Sequence, residues 1–260
     1  MKDVAPKNHS KAGRDPWAWS LLPSPTPSDE FAFQGQRPTV VFVHQFGGNR
    51  ITLNRSIQLV HRLGLDAVWF PLLYNEVELH TLPPATSDGW GFGRVWTNQV
   101  ARVLKSVRGP KILFTQSMPS NSAMTALAEN PHDVLCWICD GGPFLRIFEC
   151  VNNLYRKHFH MHAPAAYAMT ACSLIWYGRE FRLSLPTKLT QLPNQFPVLS
   201  LRGEQDPLVS TAAIDDFFQP GTQLRLTKKS FAEGGHLDLL KRFEAEYEES
   251  VRNFLKAVLT

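Results

Sequence analysis

Long apolar runs are missing from this sequence. The densest, Thr39–Phe46, is far shorter than the about 20 residues a membrane helix needs, so no membrane span is expected. Clustered positive charge is missing as well. Lys and Arg total 27 against 23 Asp and Glu, a formal net charge of +4, and no basic block is longer than Lys228–Lys229. That is no footprint for nucleic acid. Cysteine is sparse, four in 260 residues, which excludes a disulfide framework. Cys136 and Cys139 form a CxxC, but they sit in VLCWICD, which reads as a buried strand. Positions three apart on a strand point to opposite faces, so the pair is expected to be two buried thiols in a reducing cytoplasm. Neither GxGxxG after a first strand nor GxxxxGK[ST] occurs, which disfavours nucleotide binding. There is no internal repeat. The segment Met1–Asp15 carries basic residues with no apolar stretch behind them, so no secretory signal is read and a cytoplasmic location is expected.

What is present is core material. Hydrophobic residues make up 43% and charged residues 19% of the chain, enough for one generous domain. Residues 1–37 differ from the rest, with proline at 6, 16, 23, 25 and 27 among Ser, Lys and Asp. They read as an extended arm that Trp17 and Trp19 tack onto the body. Beyond it, β-rich runs alternate with helical stretches. FAFQG (31–35) reads as an edge strand, and TVVFVHQF (39–46) as a buried strand running into Gly47–Gly48. Leu53, Ile57, Val60 and Leu63 form a helical stripe, followed by a strand over 65–73 and a long loop containing Pro83, Pro84 and Gly89. A helix over 95–107, a strand over 111–116, a helix over 121–129 and strands over 134–140 and 196–203 come next. A last strand over 222–227 and a terminal helix over 237–259 complete the series. Such alternation predicts an α/β fold, a mostly parallel sheet with helices on both faces. The rhythm breaks over 144–195, which is aromatic and histidine-rich. It reads as an inserted helical cap, leaving 38–143 and 196–260 as the core.

Three positions carry chemistry. Ser117 follows the strand KILFTQ and precedes a helix, so its hydroxyl is held above the carboxyl end of the sheet beside free helix N–H groups. Asp206 stands just past the strand VLSLRG, and His236 follows two glycines ahead of the last helix. Serine, acid and histidine in that chain order, each just past a strand, is the pattern of one hydrolase architecture.

From about Thr39 to Thr260 the sequence resembles the α/β-hydrolase fold family. VFVHQFGG resembles the strand and turn that usually reads HG with further glycines. FTQSMPS resembles the nucleophile elbow, RGEQDPLVS the acid-bearing turn and GGHLDLL the histidine loop. The resemblance implies a catalytic triad of Ser117, Asp206 and His236, with an oxyanion hole from the backbone N–H groups of Met118 and Phe46. It departs from the family's pattern at the elbow. Thr115-Gln116-Ser117-Met118-Pro119 replaces GxSxG, so a β-branched side chain stands where space is short, while Pro119 falls in the first helical turn, where proline costs little. Gln45 replaces the usual glycine after His44 and is an extra donor or a gate; His44 orders the turn.

The expected activity is therefore that of a serine hydrolase, an esterase or thioesterase with no cofactor, acting on a small-molecule acyl substrate through an acyl-enzyme on Ser117. Three alternatives stay open here. Asp140, at the end of the strand 134–140, is an alternative acid, with Asp238 a weaker one. The fold could instead hold an acyl ligand without turning it over. The same triad also serves amidases, carbon–carbon bond hydrolases and haloperoxidases. The alternate histidines 158, 160 and 162 suggest a metal site, but no carboxylate partner is evident, so none is assigned.

Overall fold

The computed structural model describes residues 18–72, 91–221 and 223–259. Its centre is a seven-stranded sheet in the order β1-β3-β2-β4-β5-β6-β7. The strands are β1 (Ser20–Leu22), β2 (Thr39–Val43), β3 (Asp66–Trp69), β4 (Lys111–Gln116), β5 (Val134–Asp140), β6 (Pro197–Gly203) and β7 (Arg225–Phe231). Every pairing is parallel except β1 with β3. The α/β class, the mostly parallel sheet and the helices on both faces are as the sequence predicts.

The central strands are apolar on both sides because both faces are covered. Val40, Phe42, Ile112, Phe114, Cys136 and Ile138 point to one face. There they meet helices α1 (Asn54–Arg62), α8 (Leu239–Arg242) and α9 (Glu244–Leu259). Val41, Val43, Leu113, Trp137 and Cys139 point to the other, against α2 (Phe92–Ser106), α3 (Pro119–Glu129) and α7 (Thr211–Phe218). Cys136 and Cys139 thus lie on opposite faces of β5, and burial pushes both thiols up.

Between the neighbouring strands β5 and β6 run α4 (Ile147–Asn153), a π-helical turn over Leu154–His158, α5 (Ala163–Tyr177) and α6 (Arg179–Thr190). Phe181, Leu185 and Leu189 of α6 join the core face shared with α2 and α3. The earlier part, from Phe144 to His158, borders the cavity described below.

Several boundaries differ from expectation. FAFQG is not a strand: Gln34 and Gly35 both take positive φ, 50° and 77°, closing a turn in which Phe33 pairs only with Gln36. The first edge strand is β1 instead, inside the expected arm, where Ser-Leu-Leu carries no β-branched signal. Trp19, just ahead of β1, is 36% exposed and covered over the rest of its surface. β1 pairs with β3, and the segment after it is tied down by bonds from the Ser24 N–H to Asp66 Oδ1 (2.8 Å) and from the Ser28 N–H to the Gly64 carbonyl. β7 lies further along than expected and includes Lys228 and Lys229, charges that suit an exposed edge. The terminal helix breaks at Phe243 into α8 and α9. Trp17, Pro83, Pro84 and Gly89 lie outside the described residues.

Candidate active site

β4 ends at Gln116, and the chain turns into α3 through Ser117, whose φ is 55°. That left-handed conformation is unfavourable for a residue with a Cβ. It lifts the serine off the strand path while its N–H still donates to the Asp140 carbonyl (2.9 Å). Pro119 occupies the first turn of α3, where no backbone donor is lost. Thr115 is fully buried, and its hydroxyl accepts a bond from the Trp137 indole N–H (2.8 Å), so its side chain is paired rather than crowded. The close approach at the elbow falls to another residue. A Cβ on Gly142 would lie 2.4 Å from the Ser117 carbonyl oxygen. Asn121 of α3 then locks this crossing, exchanging two 3.1 Å bonds with the backbone of Phe144.

Past β6, Asp206 turns its carboxylate inward, its side chain 2% exposed. One oxygen, Oδ1, accepts the N–H groups of Leu208 (2.7 Å) and Val209 (2.9 Å). The other, Oδ2, lies 2.6 Å from His236 Nδ1, and His236 Nε2 lies 3.0 Å from Ser117 Oγ. A carboxylate accepts only, so Nδ1 carries the proton and Nε2 presents its lone pair to the serine hydroxyl. Residues 117, 206 and 236, far apart in sequence, form one hydrogen-bonded row. Gly203 permits this: a Cβ there would fall 2.3 Å from the Gly234 carbonyl, inside the loop that carries the histidine.

The other acids sit elsewhere. Asp140 is buried and accepts the Tyr247 hydroxyl (2.9 Å) from α9 rather than bonding His236. Burial pushes its carboxyl up to about 7, although the Tyr247 bond and nearby His236 act the other way. Asp238 accepts the Gly235 N–H (2.8 Å) and so shapes the histidine loop. His44 lies against backbone at both ring nitrogens, Nδ1 to the Gln45 carbonyl (2.8 Å) and Nε2 accepting the Leu72 N–H (3.1 Å). Burial lowers its basicity, so it stays neutral and orders the turn. Among the described residues, no group of three or more His, Cys, Asp and Glu is placed to hold a metal. In the histidine run, the His158 ring packs edge-on against Phe159, and His162 caps α5.

A cavity of about 710 Å³ opens above Ser117 and His236. Gln45, Phe46 and Met118 line it on the sheet side, and Val151, Leu154 and Lys157 on the side of the 144–195 segment. Phe46 and Met118 thus border the same space as the serine, and Met118 is the N-cap residue of α3. Two contacts that sequence reading did not reach tie this segment to the acid turn. The Asn153 amide donates to the Leu208 carbonyl (3.3 Å), and the Lys157 ammonium to the Pro207 carbonyl (2.9 Å). No local pattern marks such partners. The Gly141-Gly142-Pro143 run just past β5, by contrast, was a visible sign of close backbone approach. Among the described residues, no helix is long and apolar enough to cross a membrane.

No protein-family model matches this chain, and no curated protein does. Solved structures do. An esterase of Pyrococcus furiosus is similar over 87% of this chain and 85% of its own, with 14% identity and a TM-score of 0.62. A proline iminopeptidase of Mycobacterium smegmatis is similar over 92% and 94%, at 13% identity and a TM-score of 0.60. A meta-cleavage product hydrolase of Pseudomonas fluorescens is similar over 92% and 93%, at 11% identity and a TM-score of 0.58. With its sheet order, its strand-to-helix serine turn and these neighbours in agreement, the chain has the α/β-hydrolase fold.

Proposed function

We propose that this protein is a serine hydrolase that cleaves carboxylic esters or thioesters without a cofactor. The reading rests on one observation, the unbroken row from Ser117 Oγ through His236 to Asp206, with contacts of 3.0 and 2.6 Å. Ser117 Oγ bonds to the acyl carbon as its proton passes to His236 Nε2. Asp206 holds the imidazole in the required tautomer and stabilises its cationic form. The carbon–oxygen or carbon–sulfur bond then breaks, and the proton on Nε2 goes to the leaving group. Water attacks the acyl-serine, again losing its proton to Nε2, and the acid departs as Ser117 recovers its hydroxyl. The N–H groups of Met118 and Phe46 hold the oxyanion; one such donor is typically worth ~10²–10³ in rate. Nucleophile, base and orienting acid all come from the chain, so this sequence of steps is complete with water alone. Segment 144–195 acts as the cap over the site, and the substrate is a small acyl compound.

The test compares wild type with Ser117→Ala on short p-nitrophenyl esters and with a fluorophosphonate label. Turnover is expected to fall by orders of magnitude, up to roughly 10⁶, and labelling to vanish. Equal turnover and labelling in the variant would remove the proposal. A wild-type protein that retains an acyl compound yet turns over no ester would mark a binding protein on the same fold.

A further inference from the structure

A second cavity of about 450 Å³ adjoins the one above Ser117. The two share Phe46, Met118, Val151 and Leu154 at their junction. Their walls differ in chemistry. The first carries Gln45, Lys157, His158, His236 and Asp238. The second is bordered by the rings of Phe46, Phe92, Trp96, Tyr155, Trp176 and Tyr177, and no charged side chain lines it among the described residues. The rings form a connected set, with Phe46–Trp96, Phe92–Trp96 and Trp96–Tyr177 centroids 6.1, 5.9 and 6.0 Å apart. Two of its hydroxyls are turned to one another, with Tyr155 Oη 2.7 Å from Ser173 Oγ, and the Tyr177 hydroxyl donates to the Met118 carbonyl. Burial also pushes the Tyr177 phenol up, keeping it neutral.

The position of His236 orders these chambers along a substrate. The leaving atom must take its proton from His236 Nε2, and His236 borders only the first chamber. Ser117 borders that first chamber as well, and Met118, the next residue, lines both, so the acyl carbon lies in the first chamber at its Met118 wall. With the leaving group held beside His236, the acyl chain is left the way past Met118 into the second chamber. On the reading of Ser117 as nucleophile, we propose that the aromatic chamber is the acyl site, selecting a bulky, apolar, ring-bearing acyl group, while the polar chamber holds the alcohol or thiol. An aromatic acyl group gains there from area removed from water and from offset or edge contacts with the rings. A charged acyl group would meet no opposite charge there, and a sugar-like one only hydroxyls that are already bonded.

Ser173 on α5 is the point at which selectivity can be tested, since it faces the aromatic chamber and does not border the polar one. The experiment uses two series on the full chain. One fixes p-nitrophenol and varies the acyl group from acetyl to 3-phenylpropanoyl; the other fixes acetyl and varies the alcohol from p-nitrophenol to 2-naphthol. Wild type is expected to favour 3-phenylpropanoyl over acetyl in kcat/KM. Ser173→Phe is expected to cut that preference by about tenfold or more, within the range a hydrophobic pocket can discriminate, with the order of alcohols kept. Ser173→Leu makes the same test with a smaller intrusion, and melting temperatures establish which variant is folded. Either a fall confined to the alcohol series, or an acyl preference unmoved in a folded variant, overturns the assignment. If wild-type turnover does not depend on Ser117, the nucleophile reading fails first and the chamber assignment with it. If turnover depends on Ser117 but the acyl preference is unmoved, only the assignment fails.

Discussion

Serine 117 holds a φ of 55°, a conformation that costs an L-residue with a Cβ roughly 1–2 kcal/mol. The cost is local and separable from chemistry. Ser117→Ala keeps the Cβ and the strain, whereas Ser117→Gly removes both. Both variants lack the hydroxyl, so neither is expected to turn over an ester. The glycine variant is nevertheless expected to be the more stable by about 1 kcal/mol, read from urea midpoints; equal midpoints would mean that the turn is unstrained. The serine itself was legible, since a serine between a dense strand and an alanine-rich helix is conspicuous. Its neighbours were less so. Thr115 looked like an obstacle because the sequence does not say that Trp137, on the adjoining strand, brings an indole N–H to its hydroxyl.

Elements meet at the site through backbone contacts. β6 and the histidine loop touch at Gly203, where a Cβ would stand 2.3 Å from a carbonyl oxygen that cannot swing aside. Gly203→Ala must therefore displace residues 234–236 and lengthen the 3.0 Å Ser117–His236 contact. Overpacking of this kind costs about 1–3 kcal/mol, and a shift near 1 Å in a reacting group costs about 10² in rate. The expected result is a kcat lowered about a hundredfold in a protein that still folds, measured by ester kinetics beside a urea melt. Unchanged kcat would mean that the loop has slack. At this scale the sequence was a good guide to strands buried on both faces, where composition is decisive, as in β2, β4 and β5. It was a poor guide at the edges. β1 and β7 are half-solvated, so their residues need not be apolar, and pairing rather than propensity makes them strands.

Across the molecule, one buried acid links the sheet to the terminal helix. Asp140 accepts the Tyr247 hydroxyl of α9, and its carboxyl is pushed up to about 7 by burial. An aspartate in the unfolded chain titrates near 3.9. Between those values the unfolded chain releases a proton that the folded chain keeps. This group's effect on stability is therefore most favourable below about pH 4, declines as pH rises through the window, and levels off above about 7. Asp140→Asn does not titrate and still offers Tyr247 an acceptor. The melting-temperature difference, variant minus wild type, is expected to be larger at pH 8 than at pH 5. A difference that is constant with pH would place the carboxyl in the ordinary range.

The layered α/β arrangement and the order of serine, acid and histidine were legible from local pattern alone: apolar periodicity, and polar residues just past strand ends. Which acid meets the histidine depended on how the chain packs. Asp140 and Asp206 both lie at carboxyl ends of neighbouring strands. One is turned toward a tyrosine of α9 and the other toward His236, a choice made by packing that no spacing rule encodes. Packing likewise decided that two chambers of unlike chemistry meet at Phe46 and Met118, since their walls come from the strand β2 turn, α2, α4 and α5, segments that become neighbours only when the chain has closed.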